Sequence, residues 1–183
     1  MEGALKDFGV KVDGKIALDV GASTGGFTDC LLQAGARQVY TVDVSYGPLA
    51  WKLRKDPRVV VIERTNARYL TREILQKKSG ESEWPALAVI DVSFISLAKI
   101  LPAVFQVLTE EGEVVALVKP QFEARREQVE RGGIVSDPKV HQEVVEKVKK
   151  EAIALGFIEK GITKSPIEGA DGNVEYFIYL TKK

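Results

Sequence analysis

Ile16-Ala17-Leu18-Asp19-Val20-Gly21-Ala22-Ser23-Thr24-Gly25-Gly26-Phe27 is the stretch on which the reading of the fold turns. An apolar run ends in an acid, small residues follow, and Gly25-Gly26 opens an amphipathic segment through Phe27, Cys30, Leu31 and Leu32. The pattern predicts strand, tight turn and helix. Glycine at Gly21, Gly25 and Gly26 lets backbone approach a ligand closely and presents amide groups at a helix start. The anionic Asp19 suits an uncharged or cationic ligand portion better than a pyrophosphate. The dinucleotide fingerprint G-x-G-x-x-G is not met, because Ser23 stands where its second glycine must admit the diphosphate. The stretch therefore reads as a nucleoside site without a phosphate cradle, a description that S-adenosylmethionine fits.

The 183 residues around this stretch suffice for one domain with a sizeable core. Hydrophobic residues make up 45% and charged residues 28%, ordinary values for a soluble globular chain. With 26 basic and 26 acidic residues the formal charge is zero, so any nucleic-acid binding must come from a local patch. No apolar run is long enough for a membrane span, and no signal peptide is evident. The single cysteine, Cys30, excludes an internal disulfide, points to a cytoplasmic setting, and reads as a packing residue on the apolar helix face. One histidine, His141, cannot build a metal site, so no metal is expected. The sequence leaves the oligomeric state open.

Working outward, strands are predicted at Ile16–Val20, Gln38–Val42, Val59–Ile62, Leu87–Ile90, Glu113–Val118, Gly156–Ile162 and Val174–Leu180. Helices are predicted from about Gly25 to Ala34, through Trp51 and Leu53, over Asn66–Lys78, over Ser93–Leu108 and over Lys139–Leu155. Gln121–Pro138 reads as irregular, and Thr163–Asn173 reads as a loop. Strands alternating with helices imply right-handed crossovers and a parallel sheet. Only a loop separates the last two strands, which makes the final one antiparallel. The expected fold is α/β, a doubly wound, mostly parallel seven-stranded sheet with one antiparallel strand.

Ligands of such sheets bind outside the carboxyl ends of the strands. Asp19, Asp43, Asp91 and Lys119 each fall at such an end, and Glu175 falls near the start of the antiparallel strand on the same rim. Asp43 follows Gly21 by about the twenty residues expected of an acid that binds ribose hydroxyls; a turn or helix cap is the plainer role. A lysine between two carboxylates has its charged form favoured, while burial opposes this. Lys119 then either takes a proton from a hydroxyl nucleophile, oriented by Asp91 and Glu175, or belongs to a structural ion-pair network. Spacing alone does not choose between them.

Five segments carry a resemblance. They are Asp19-Val20-Gly21-Ala22-Ser23-Thr24-Gly25-Gly26-Phe27-Thr28-Asp29, Glu63-Arg64-Thr65-Asn66-Ala67-Arg68, Asp91-Val92-Ser93-Phe94-Ile95-Ser96, Val118-Lys119-Pro120-Gln121-Phe122-Glu123 and Gly172-Asn173-Val174-Glu175-Tyr176. Together and in this order they resemble the TlyA (haemolysin A) family of ribosomal RNA 2′-O-methyltransferases, whose catalytic domain is FtsJ-like. The resemblance implies a Rossmann-like S-adenosylmethionine-dependent methyltransferase fold over the whole chain, with ribosomal RNA or ribosomal subunits as partner. It also implies that Asp19, Gly21, Ala22, Ser23, Gly25, Gly26, Phe27, Asp43, Val44, Asn66, Ala67 and Asp91 surround the cofactor, with Asn66 near the adenine. Asp91, Lys119 and Glu175 match the last three members of a Lys-Asp-Lys-Glu tetrad. The first lysine of that tetrad and an N-terminal S4-type RNA-binding domain are expected to lie upstream of Met1; Lys6 is downstream of the matching position.

For RNA, the sequence offers Arg125, Arg126 and Arg131, which follow Lys119 directly and would clamp phosphates. The interleaved Glu123, Glu127 and Glu130 weaken that patch. Two competing functions remain at this level. A nucleotide-dependent oxidoreductase is disfavoured by the missing second glycine. A non-catalytic RNA- or partner-binding module that keeps the cofactor fold is disfavoured by Asp91, Lys119 and Glu175 on one rim, and its membrane-damaging haemolysin form by zero net charge and the lack of a strongly amphipathic segment.

Overall fold

The computed structural model describes residues 1–169 and 172–183. Part of the predicted loop over 163–173, namely residues 170 and 171, lies outside the described residues. Seven strands form one sheet: β1 (Ile16–Val20), β2 (Gln38–Val42), β3 (Val59–Ile62), β4 (Leu87–Ile90), β5 (Glu113–Val118), β6 (Phe157–Lys164) and β7 (Tyr176–Lys182). Their order is β3-β2-β1-β4-β5-β7-β6. The pairs β1–β2, β2–β3, β1–β4 and β4–β5 are parallel, and β7 runs antiparallel to both β5 and β6. The connection reverses direction between β1 and β4, so their carboxyl ends open the crevice where doubly wound sheets take ligands.

The central strands are buried on both faces, which is why β1 and β4 read as continuous apolar runs. Leu18, Val20, Tyr40 and Ile90 face one cluster with Leu101, Val104 and Val148. Ala17, Val39 and Val89 face the other, with Leu5, Leu31 and Leu53. The helices that cover these faces are α1 (Glu2–Asp7), α2 (Gly26–Gln33), α3 (Trp51–Arg54), α4 (Arg72–Ser79), α5 (Leu101–Val107), α6 (Pro120–Glu123) and α7 (Pro138–Ala154).

Five predicted elements differ. The helix expected over 66–78 is split: Asn66 caps a short 3-10 turn at Ala67–Tyr69, the chain extends at Leu70 and Thr71, and the Thr71 hydroxyl caps α4 at the Ile74 amide (3.4 Å). Burying Leu70 and capping with Thr71 replaces one helix by two shorter elements. The helix expected from Ser93 begins only at Leu101, with Pro102 in its first turn, where no amide hydrogen is needed. Residues 93–96 instead form an open loop. Pro120–Glu123 makes α6 at the start of the stretch read as irregular, β6 begins one residue and ends two residues later than expected, and β7 is displaced by two residues toward the C-terminus.

Candidate active site

The loop after β1 is shaped by contact with the protein's own chain. Gly21 has φ +83, and a Cβ there would lie 2.1 Å from the Asp91 carbonyl oxygen. Glycine thus lets the exits of β1 and β4 pass each other. Gly25 (φ +99) opens α2, and a Cβ there would lie 2.2 Å from Leu53 Cδ1. The close approach that the sequence assigned to a ligand is, at both positions, made to protein atoms. Ser23 adopts φ 49 and donates its backbone N–H to Asp43 Oδ2 (2.8 Å), while Ser45 donates to Oδ1 (2.8 Å). Asp43 therefore fixes the loop and still has acceptor capacity on each oxygen.

Between these loops lies a cavity of about 370 Å³, within the usual range for small-molecule sites. Of the residues expected around a cofactor, Gly21, Ser23, Asp43, Val44, Asn66, Ala67 and Asp91 line it, joined by Thr65, Val92, Ser93, Phe94 and Ile95. The lining contains two carboxylates and no lysine or arginine. Asn66 Oδ1 accepts the Arg68 N–H (3.1 Å).

Asp19, Ala22, Gly25, Gly26 and Phe27 are not among the lining residues. Ala22 is buried, and Phe27 stands against Phe177 (ring centroids 6.4 Å apart). Gly26, Phe27 and Cys30 instead border a larger groove, about 1090 Å³, between α2 and the N-terminal segment; none of Asp43, Asp91, Lys119 and Glu175 lines it, and it is not the candidate site. Cys30 is half-buried and packs against the second apolar cluster, where burial raises its thiol pKa.

Asp19 points to the α2 face of β1, opposite Leu18 and Val20, and is fully buried. Its Oδ2 accepts the Thr28 hydroxyl (2.6 Å), and its Oδ1 has no partner among the described residues. Burial pushes this carboxyl up to about 7, against the pull of the Thr28 hydroxyl. Because the folded-state value is raised from 3.8, stability is full below about pH 4 and falls as pH rises through about 7, by ~1.4 kcal/mol per unit within that window. Asp19→Asn is expected to flatten this part of the melting temperature profile; a variant that keeps the parental slope would assign the slope to another group.

At the ends of β4 and β5 the expected pair forms. Lys119 Nζ lies 2.5 Å from Asp91 Oδ1 and donates to Ser93 Oγ (3.2 Å). Glu175, just before β7, is buried and accepts Gln121 Nε2 (3.1 Å) rather than bonding Lys119 directly. Burial raises the Glu175 pKa, partly offset by Gln121 and Lys119. Sequence reading missed Ser93 and Gln121, though each lies two residues from an acid or base it had singled out.

It also missed Glu123, which is buried and accepts Ser96 Oγ (2.7 Å) and the Leu97 N–H (2.6 Å), pinning α6 to the loop after β4. Nearby, Asn173 ties the chain before Glu175 to Gly133 and Val135. His141 is buried against Tyr176 and the Val135 carbonyl. Arg125, Arg126 and Arg131 are all exposed, and Arg125 pairs with Glu127 (3.7 Å). Among the described residues no three His, Cys, Asp or Glu side chains gather as a metal-binding group, and no helix is long and apolar enough to cross a membrane.

The model of the FtsJ-like methyltransferase family matches residues 1–182. The chain belongs to this family. It is 54% identical over 180 residues to YqxC of Bacillus subtilis (strain 168), named as a candidate rRNA methyltransferase; 98% of this chain and 62% of that protein are covered. It is 50% identical over 178 residues to the 16S/23S rRNA (cytidine-2′-O)-methyltransferase TlyA of Mycobacterium tuberculosis (strain CDC 1551 / Oshkosh), covering 97% of this chain and 64% of the relative. The chain thus spans somewhat under two thirds of the length of these relatives. Among solved structures, a Lactococcus lactis protein described as a hemolysin superimposes with TM-score 0.93 at 53% identity, over 100% of this chain and 85% of its own. An S-adenosylmethionine-dependent methyltransferase from Listeria monocytogenes, 18% identical, matches with TM-score 0.70 over 99% of this chain and 97% of its own. That likeness shows that the FtsJ-like chain has the Rossmann-like methyltransferase fold.

Proposed function

We propose that this FtsJ-like domain uses S-adenosylmethionine to methylate a ribose 2′-hydroxyl of ribosomal RNA, in the cytoplasm where ribosomal subunits are found. The observation that carries the reading is the Asp91–Lys119 pair, with Ser93, at the mouth of a nucleoside-sized cavity whose lining is acidic and lacks any lysine or arginine. A dinucleotide needs cations or a glycine-rich cradle for its diphosphate. A ligand with a sulfonium and an ammonium group and no phosphate fits two carboxylates and no base. The names of the relatives at 50–54% identity point to the same substrate class.

Bound there, S-adenosylmethionine supplies an electrophilic methyl group. Of the residues lining the cavity, Asp43 would accept hydrogen bonds from its ribose hydroxyls, and Val44, Asn66 and Ala67 would hold the adenine. Lys119 Nζ would receive the RNA 2′-hydroxyl and, as the neutral amine left after giving up its own proton, take the hydroxyl proton while the oxygen bonds the methyl carbon and the carbon–sulfur bond breaks to leave a neutral thioether. Asp91 and Ser93 fix the Nζ position, while Glu175, held by Gln121, borders the other side of the acceptor ribose. Holding both reactants in register supplies much of the rate.

Asp43→Ala is expected to weaken S-adenosylmethionine binding about tenfold or more, since it removes a charge-assisted acceptor and loosens the Ser23 amide. Isothermal titration reads this directly; an unchanged Kd would remove Asp43 from the ribose site. The exposed Arg125, Arg126 and Arg131 supply phosphate contacts on one side of the acceptor, limited by Glu127 and Glu130 among them.

A further inference from the structure

We propose that a second surface, formed by the segments that follow β2 and β3, binds single-stranded RNA by stacking bases on aromatic rings capped by cations. The proposal rests on the reading of the protein as an RNA-modifying enzyme and adds where the strand runs. Residues 44–72 hold seven basic side chains and two acidic ones, although the whole chain is neutral. Most of these charges are engaged: Arg54 pairs with Glu63, Arg58 with Asp56 and Lys52 with Asp29. Lys55, Arg64 and Arg68 make no ion pair among the described residues, and each lies over a ring instead. Their distances to the ring centroids are 4.7 Å over Trp51, 4.5 Å over Tyr46 and 5.5 Å over Tyr69.

Those three rings are 67%, 71% and 66% exposed, so none is needed by the core. Cation–π pairs also occur on surfaces that bind nothing. Here three of them occupy the segments leaving adjacent strands, at the sheet edge that holds the cofactor cavity. Val44, Thr65, Asn66 and Ala67 line that cavity from the same two segments. The shoulder is also built to stay in place. Glu63 accepts the Gly47 N–H (2.8 Å) and Arg54 Nη1 (3.2 Å), and Arg64, at φ 52, donates its N–H to the Ser45 carbonyl (3.2 Å). The Ala50 N–H donates to the Thr24 carbonyl (3.1 Å), which holds the start of α3 at this edge.

Aromatic faces for bases beside unpaired cations for phosphates are how single strands are held without sequence readout. A protein partner would need only one of the two. The Arg125–Arg131 stretch lacks this combination: Glu127 and Glu130 are interleaved with its three arginines, and Arg125 pairs with Glu127 (3.7 Å).

The test is fluorescence anisotropy of a labelled polycytidine RNA strand with the chain across a salt series. R64E/R68E is expected to bind at least tenfold more weakly, with the salt slope reduced by about one to two. Y46A/W51A/Y69A is expected to bind about tenfold more weakly with the slope unchanged. Titration with S-adenosylmethionine serves as the folding control, because none of these residues lines the cavity, and its Kd should stay at the parental value. RNA binding equal to the parent in both variants would overturn the shoulder while leaving the methyltransferase reading intact. Loss only in an R125E/R126E/R131E variant would move the strand to that stretch and equally overturn it. A parent that binds the cofactor but no RNA would overturn the RNA assignment as a whole, whereas a parent that binds neither would overturn the proposed function itself.

Discussion

Lys119→Ala is expected to lower methyl transfer to ribosomal RNA by about 10³-fold while leaving the Kd for S-adenosylmethionine within about threefold. Lys119 stands at the end of β5, 2.5 Å from Asp91 and 3.2 Å from the Ser93 hydroxyl, and it is outside the cavity lining. On the proposed mechanism its removal takes away the group that receives the hydroxyl proton, while every residue that lines the cavity stays in place. Single-turnover transfer of a labelled methyl group measures the first effect, and calorimetry the second. Lys119→Arg sharpens the assignment, since a guanidinium carries a positive charge but has no accessible neutral form with which to take the hydroxyl proton. If Lys119 acts on the proton, the arginine variant stays slow. Recovery of the parental rate with arginine would reduce the lysine to a positive charge, and a parental rate in the alanine variant would remove it from the chemistry.

Gly21→Ala is expected to cost ~3 kcal/mol or more in stability and to abolish cofactor binding. Two effects add at this position. Gly21 sits at φ +83, where an L side chain is strained, and its Cβ would meet the Asp91 carbonyl oxygen at 2.1 Å and the carbonyl carbon at 2.9 Å. Both neighbours are backbone, so relief requires the exits of β1 and β4 to separate, which draws Asp91 away from Lys119. Gly47→Ala isolates the first effect. Gly47 has a similar φ of +87, but nothing lies within 4 Å of its virtual Cβ, so a loss of only ~1 kcal/mol is expected. Urea unfolding of both variants separates strain from collision. If Gly21→Ala loses no more stability than Gly47→Ala, the tight crossing of β1 and β4 is not what demands glycine there.

The sequence displays the sheet clearly because each central strand is an apolar run with a marked end: Val20 precedes the small-residue loop, whereas Val42, Ile90 and Val118 precede the ionisable Asp43, Asp91 and Lys119. Those endings also mark the carboxyl edge, which is how residues spread over Asp43 to Glu175 could be placed on one rim. Asp19 shows what apolar patterning hides. It lies one residue before the strand end, so the two-residue alternation of a strand turns it to the opposite face, under α2 with Thr28. A continuous apolar run in a doubly covered strand gives no outward sign of that facing.

The helices were less legible. Thr71 inside a polar, helix-compatible run carries no composition break, yet its side-chain cap divides the segment into a 3-10 turn and α4. Glu123 looks in sequence like one more acid among arginines. Only the fold brings it to the Leu97 amide, 26 residues away, and buries it. The bonding of Glu175 to Gln121 spans 54 residues and was equally invisible. Arg125, Arg126 and Arg131 stand out in sequence by following Lys119, whereas the exposed rings of Tyr46, Trp51 and Tyr69 become a surface only once β2 and β3 lie side by side.

The central claim is that the acidic, base-free cavity at the β1–β4 crossing holds S-adenosylmethionine. Isothermal titration of the chain with S-adenosylmethionine, with NAD in a parallel titration, tests it most directly. Binding of S-adenosylmethionine at micromolar Kd, weakened in Asp43→Ala and absent for NAD, is the predicted result. Binding of NAD, or no heat with S-adenosylmethionine from a chain that unfolds cooperatively, would contradict it.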